Sequence, residues 1–325
     1  MKKNLVLKKR TKVVCQIVKY TDPLEVRIIQ VLGHPDDAGV DISAMLTSNQ
    51  VRQVFNGKIV KECKRIPAKV QKDELENRKD LRNLLTVTID GDDAKDFDDA
   101  ISIVKNEKGY LLYVHIADVS HYVKENSALD QEAYLRGNSI YVCDRVVPML
   151  PFDLSNGICS LNPNVDRLTI TCAMQVDERG NLLTYNLFPS VIHSDKRCTY
   201  KKVNACLAGD ETILEEYSEV KGLLFTLESL AKLLKKQSHN RGCIDFNTKE
   251  AKIIMDKNGY PVDVTVLERG FAEQMIEECM ILANVCVAHH MHVNKIPSMY
   301  RVHENPDPKK SCDNLYRCEF FTYSI

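Results

Sequence analysis

The chain has 325 residues, a formal net charge of −1 and 44% apolar residues, an ordinary composition for a globular protein with room for two domains. No run of about eighteen apolar residues occurs, so a membrane span is not predicted, and the near-neutral charge does not by itself indicate a nucleic-acid-binding protein. The start, "MKKNLVLKKRTK", has basic residues but no apolar signal-peptide core, and we expect a cytoplasmic location.

Residues 12–33 contain two β-rich runs separated by "TDP", which is typical of a turn. Short strands at this spacing predict a small barrel of the OB or cold-shock kind over residues 1–66. The charged segment 67–84 predicts a linker helix between this barrel and a second domain, residues 85–325.

The second domain begins with strands and continues with helices, which predicts an α+β fold. The predicted strands are "LLTVTID", "AISIV", "GYLLYVHIADV", "RLTITCAMQVD" and "LLTYNLF", with hairpin turns at "NEKG" and "DERGN". Helical periodicity follows in "DETILEEYSEVKGLLFTLESLAKLLKKQS" and "GFAEQMIEECMILANVCVAHHMH". The twelve cysteines include no CxxC pair, and we expect free thiols.

The stretch "TVTIDGDDAKDFDDAISIV", residues 86–104, places six aspartates within ten positions. Carboxylates this close repel one another, so the arrangement costs stability unless cations neutralise it. Oxygen ligands of high charge suit Mg²⁺ or Mn²⁺. Two such ions can activate water and stabilise a leaving oxygen during phosphodiester hydrolysis.

An acidic stretch of this kind could also be a calcium-binding loop or a solvated loop without a ligand. An EF-hand calcium loop counted from Asp90 fails, because Lys95 stands at the glycine position and Ile101 at the glutamate position. A solvated acidic loop stays open as an alternative. The apolar segments on either side and the Asp-Phe-Asp-Asp alternation argue against a solvated loop, but they do not identify a substrate.

Several motifs occur together and in order: "TIDGDDAKDFDDA", "HIADVSHYV", "NSIYVCDRVVPMLP", "LSNGICSLNPNVDRLTITC", "IEECMILANV" and "YRVHENP". Together they resemble the RNB domain of the RNase II and RNase R family, specifically its bacterial RNase R branch, over roughly residues 10–320. The resemblance implies a mixed RNB sheet flanked by helices and a 3′→5′ exoribonuclease. Such an enzyme hydrolyses single-stranded or 3′-overhanging RNA to nucleoside 5′-monophosphates with Mg²⁺ or Mn²⁺.

The resemblance also implies roles for individual residues. The family's four metal-site aspartates correspond to Asp90, Asp96, Asp98 and Asp99, and Asp98 corresponds to the one most tied to turnover. Tyr141 corresponds to the aromatic residue that stacks on the 3′-terminal base. Tyr200 and Glu277 correspond to positions near the terminal nucleotides, where they can contact the ribose 2′-hydroxyl. Asp92 and Asp93 match no catalytic position, although Asp93 could support the site from outside.

The first segment resembles the family's second cold-shock domain, in which Lys12, Lys19 and Arg27 are candidate phosphate contacts. The family continues beyond this C-terminus with a "TSPIRRY"-like segment, which supplies an arginine near the scissile phosphate, and with a terminal OB-fold domain. Because neither is present, we expect a catalytic region that is incomplete at both ends and whose turnover is impaired.

Three hypotheses follow from the sequence: an exoribonuclease, a non-catalytic RNA-binding fragment with an incomplete metal site, and a Mg²⁺-dependent phosphatase of small substrates. The third explains the aspartates but neither the barrel nor the other motifs. A zinc site at Cys286, His289 and His290 is disfavoured, because nothing in the sequence supplies a fourth ligand. The sequence makes no prediction of oligomeric state.

Overall fold

The computed structural model describes residues 7–243, 250–267, 269–300, 302 and 304. The chain divides into two compact units, Met1–Asn284 and Val285–Ile325. The described part of the second unit consists of the last residues of a helix and the segment after it. Most of the predicted motif "YRVHENP" lies outside the described residues.

The N-terminal region begins with an antiparallel hairpin of β1 (Lys12–Lys19) and β2 (Glu25–Gly33), as the two β-rich runs predicted. Two helices follow, α1 (Val40–Ser48) and α2 (Gly57–Cys63), neither of which was predicted from the sequence. The side chain of Asn56 caps α2 by accepting hydrogen bonds from two backbone amides of its first turn. Within the described residues 7–66 this hairpin supplies all the strands.

The prediction of a linker helix over residues 67–84 was wrong. The segment contains one 3₁₀ turn, Asp73–Leu75, followed by the short strand β3 (Lys79–Asp80). Asn77 has a φ of 62°, a left-handed conformation that ends any helix. Because β3 pairs in parallel with a later strand at Ser190 and Val191, this end of the predicted linker belongs to the main sheet.

The second domain is an α+β structure, as predicted. Its further strands are β4 (Val87–Asp90), β5 (Asp99–Asn106), β6 (Gly109–Ala117), β7 (Ile140–Tyr141), β8 (Val146–Val147), β9 (Asp166–Val176), β10 (Leu182–His193), β11 (Lys196–Thr199), β12 (Glu250–Met255) and β13 (Pro261–Leu267). Its helices are α3 (Val119–Tyr122), α4 (Ala128–Arg136), α5 (Tyr200–Leu207), α6 (Glu211–Glu216), α7 (Lys221–Asn240) and α8 (Phe271–Val293), with a π-helical turn at Asp153–Ile158.

Seven strands form one mixed sheet in the order β11-β4-β5-β6-β9-β10-β3. The outer pairs β11–β4 and β10–β3 are parallel, and the inner pairs are antiparallel. All five predicted strands are confirmed, as are both predicted turns. At the β5–β6 turn, Gly109 has a φ of 116°, and an added Cβ would overlap the carbonyl oxygen of Val176, so glycine is required there.

A line of buried polar side chains crosses the middle of this sheet. His115 is fully buried, and its two ring nitrogens lie 3.1 Å from the hydroxyl of Ser102 and 2.8 Å from that of Thr171. Ser102 in turn pairs with the hydroxyl of Thr86, and Thr171 pairs with that of Ser190. Because every member has a partner, burying these groups is tolerated and fixes the register of neighbouring strands.

The apolar core lies between the sheet and its helices. Helix α7 packs against β5, and α5 packs against α7, β4 and β11. The long helical segment predicted before residue 240 is divided into α6 and α7. No helix in the described ranges is both long and apolar enough to cross a membrane. The ten described cysteines are all free thiols, as predicted, whereas Cys312 and Cys318 lie outside the described residues.

Candidate active site

The aspartate-rich stretch connects two neighbouring strands of the sheet, and we call residues 90–99 the acidic loop. Asp90 is the last residue of β4, and Asp99 is the first residue of β5. Because these strands are antiparallel, the end of one and the start of the other lie at the same edge of the sheet. The first and last aspartates are therefore brought together by the strand pairing.

The middle of the acidic loop is anchored by Phe97. Its side chain is only 3% exposed and packs in a core cluster with Leu161 and Ile192. Its backbone amide donates to the hydroxyl of Ser160 at 3.0 Å, and its carbonyl accepts from the amide of Leu161 at 2.9 Å. The middle of the loop is therefore held against the core, which argues against a loop that is solvated along its whole length.

The carboxylates of the acidic loop affect one another's ionisation. Burial, followed by the negative charge of Asp99, raises the pKa of Asp90 to about 7. Burial and the charge of Asp98 raise the pKa of Asp99 to about 6, and burial with the charge of Asp96 raises the pKa of Asp98. The four predicted aspartates therefore form one interacting cluster rather than four separate surface groups.

Two observations bear on whether a cation fits this cluster. The Oδ2 atom of Asp90 is buried without a hydrogen-bond partner, and an uncompensated carboxylate oxygen in a repelling cluster suits a divalent cation. However, no group of three or more His, Cys, Asp or Glu side chains in the described part of the chain is arranged to hold a metal ion. The four-aspartate metal site therefore stays a prediction.

Tyr141 lies beside the acidic loop. It belongs to the small hairpin of β7 and β8, and 67% of its surface is exposed. Its hydroxyl donates a hydrogen bond to Oδ2 of Asp96 at 3.1 Å. The ring of Tyr141 is therefore an accessible aromatic surface, and its hydroxyl is hydrogen-bonded to one of the predicted metal ligands.

Tyr200 begins α5, which follows directly after β11. It is partly buried, and its pKa is raised to about 12 by burial and by the nearby charges of Asp90 and Asp99. The phenol therefore stays protonated beside the acidic loop and can donate a hydrogen bond there.

Glu277 lies on the exposed side of α8. Its carboxylate forms an ion pair with Arg269 at 3.2 Å. Arg269 in turn is close enough to Tyr200 to affect the pKa of that phenol. The predicted RNA-binding residues Tyr200 and Glu277 are therefore linked through a cation that the sequence did not single out.

The two remaining aspartates have other contacts. The side chain of Asp93 is 86% exposed and forms a 2.9 Å ion pair with Lys252 of β12. The backbone carbonyl of Asp92 accepts a hydrogen bond from Arg197 at 2.7 Å. These contacts tie the first half of the acidic loop to β11 and β12.

Several residues around the site were missed from the sequence. Arg197 lies in "KRCTY", three residues before Tyr200, but the four-residue strand that positions it has no periodic signal. Asn204 accepts from the amide of Ala272 at 2.8 Å and so fixes the start of α8. Gly270 approaches Asn204 so closely that an added Cβ would overlap the amide side chain.

The fold and the site together define a class: an α+β protein with an N-terminal region of the cold-shock type and an acidic cluster at the edge of its main sheet. The RNB domain family matches residues 78–319, and the cold shock domain family matches residues 2–56. The chain belongs to the RNB family, as the motifs predicted.

Known proteins with similar sequences carry the name Ribonuclease R. The one from Thermotoga maritima is 48% identical over 309 residues, which are 93% of this chain and 43% of that protein. The one from Escherichia coli is 39% identical over 281 residues, 86% of this chain and 35% of that protein. The chain thus spans less than half the length of these relatives.

A solved structure shows the same fold. Mycoplasma genitalium RNase R in complex with ribose methylated single-stranded RNA matches with a TM-score of 0.85 at 36% identity, covering 94% of this chain and 48% of that one.

Proposed function

We propose that this chain is the catalytic region of a 3′→5′ exoribonuclease that hydrolyses single-stranded or 3′-overhanging RNA to nucleoside 5′-monophosphates. The observation that supports it best is the interacting cluster of Asp90, Asp96, Asp98 and Asp99 in a chain 48% identical to a Ribonuclease R. We also propose a cytoplasmic location, because free thiols throughout the described residues suit a reducing compartment.

The proposed cofactor is Mg²⁺ or Mn²⁺, held by the four aspartates. When bound, divalent ions supply activation of water and stabilisation of the leaving oxygen. The protein contributes the scaffold: β4 and β5 carry Asp90 and Asp99, and the buried ring of Phe97 fixes the backbone that carries Asp96 and Asp98. The buried, unpartnered Oδ2 of Asp90 supports a ligand role for that carboxylate.

The proposed RNA contacts use groups that surround the acidic loop. The exposed ring of Tyr141 can stack on a terminal base, an interaction worth about 1–3 kcal/mol for any base. The protonated hydroxyl of Tyr200 and the exposed carboxylate of Glu277 can bond to ribose hydroxyls. Stacking without base-specific hydrogen bonds suits an enzyme that must accept every nucleotide.

The test is degradation of a 5′-labelled RNA with a 3′ overhang in the presence of Mn²⁺, followed on a sequencing gel. The proposal expects a ladder that shortens from the 3′ end and releases mononucleotides. It also expects Asp98→Asn to abolish the ladder while RNA binding, measured by fluorescence anisotropy, persists. Asp93→Asn is the matched control, because it removes one charge from the surface of the same loop.

A second candidate is a non-catalytic RNA-binding fragment. It is favoured by one observation, the absence among the described side chains of a group arranged to hold a metal. RNA binding by the unmutated chain without any ladder, and without detectable Mn²⁺ binding in a calorimetric titration, would support this candidate over the exoribonuclease.

A further inference from the structure

Arg197 contacts the acidic loop at several points. Strand β11 pairs in parallel with β4, and this pairing sets Arg197 level with Thr88, two residues before the loop begins. The guanidinium Nη2 atom donates to the carbonyl oxygen of Asp92 at 2.7 Å and to that of Gly91 at 3.2 Å. The centre of the guanidinium lies 5.1 Å from the centre of the Phe97 ring.

These contacts join the two halves of the loop. The carbonyls belong to the turn directly after Asp90, whereas Phe97 stands between Asp96 and Asp98. A single rigid, planar group therefore spans from the turn to the anchored ring, and its positive charge lies close to the carboxylate of Asp90. The guanidinium bonds to main-chain carbonyls and not to the side-chain oxygens of these aspartates.

We propose that Arg197 is a positioning residue: it holds the turn at Gly91 and Asp92 against Phe97, and so sets the spacing of the aspartates on which divalent-metal binding depends. This role rests on the proposed metal site. Lysine is a poorer substitute, because an ammonium group that donated to both carbonyls, as Nη2 does, would lack the planar guanidinium that also lies against the Phe97 ring.

Metal affinity distinguishes positioning from a simple effect of charge. If Arg197 acted only as a positive charge near the cluster, it would repel a metal ion, and its removal would tighten metal binding. If it positions the loop, its removal weakens metal binding, because the ligands lose their spacing. The two roles therefore predict opposite signs for the same measurement.

The experiment compares Arg197→Met and Arg197→Lys with Lys196→Met in the full chain. Lys196 is the matched control, because it is the neighbour on β11 and its ammonium bonds to the carbonyl of Glu216, not to the loop. Mn²⁺ binding is measured by calorimetric titration without RNA, after circular dichroism has shown that each variant is folded. We expect both Arg197 variants to bind Mn²⁺ about tenfold or more weakly and Lys196→Met to bind as the unmutated chain does.

A second measurement separates this role from the proposed function. Hydrogen exchange of the amides of residues 91–96, in chelator, is expected to be faster in Arg197→Met than in Lys196→Met. Unchanged exchange, or Mn²⁺ binding as tight as in the unmutated chain, overturns the role of Arg197 and leaves the metal site standing. If the unmutated chain binds no Mn²⁺, both the metal site and this role are refuted, whatever the exchange rates.

Discussion

Replacing Asp90 by asparagine tests whether the acidic loop is built for cations. In the metal-free protein the carboxylate of Asp90 is partly buried among other carboxylates, and one of its oxygens is buried without a hydrogen-bond partner. Asp90→Asn removes the charge while keeping the size of the side chain. We expect the variant to be more stable than the unmutated chain at pH 8 in chelator, and to gain less stability from Mn²⁺.

The magnitude follows from the ionisation of Asp90. Its pKa of about 7 lies above the value of an unfolded aspartate, so the folded state binds the proton more tightly. Stability therefore falls as pH rises from about 4 to about 7, and the whole cost is present above pH 7. A rise in pKa of this size corresponds to a cost in folding stability of about 4 kcal/mol as an upper bound. Because solvent screens charges at a partly exposed site, we expect Asp90→Asn to gain about 1–3 kcal/mol in stability.

The assay is urea unfolding followed by circular dichroism, since the chain contains no tryptophan. Unfolding is measured at pH 5.5 and pH 8, in chelator and with Mn²⁺. The control is Asp93→Asn, whose carboxylate is exposed and paired with Lys252. If Asp90→Asn destabilises the metal-free protein at pH 8, or if Mn²⁺ stabilises it as much as the unmutated chain, the reasoning about the cluster is refuted.

Three further predictions concern the surroundings of the site. Phe97→Ala should destabilise the protein by about 3–5 kcal/mol in urea unfolding, because the buried ring anchors the acidic loop. A loss of unfolding free energy below about 1 kcal/mol would contradict this anchoring role. Tyr141→Ala should weaken RNA binding, measured by fluorescence anisotropy, by about 1–3 kcal/mol. Tyr141→Phe keeps the stacking surface and should keep most of the RNA affinity. An equal loss of RNA affinity in both variants would exclude stacking. Burial lowers the pKa of His115 to about 3, so the stability from its neutral ring is complete above about pH 6.5 and is lost as pH falls towards 3. Between pH 7 and pH 5 the free energy of unfolding should fall by about 2 kcal/mol because of His115. The urea midpoint of His115→Gln should therefore change less between these two pH values than that of the unmutated chain. An identical pH dependence in both proteins would contradict this prediction.

The sequence by itself determined the local elements and the chemistry of the acidic loop. Short apolar, β-branched runs bounded by turn residues predicted β4, β5, β6, β9 and β10, because such runs favour strands. The aspartates were conspicuous because the crowded charge calls for a cation whatever the fold. The prediction of a helix over residues 67–84 failed, because charge and helix propensity alone do not reveal the left-handed Asn77 or the pairing of β3 with β10.

Only the tertiary structure decided which distant residues meet the acidic loop. The parallel pairing of β11 with β4 brings Arg197 to the turn at Asp92, and the β7–β8 hairpin brings Tyr141 to Asp96, 45 residues away in sequence. These strands have two or four residues, too few for a recognisable period, and the loop residues that they contact are distant in the chain. Their positions are therefore set by tertiary contacts, and local sequence contains too little information to predict them.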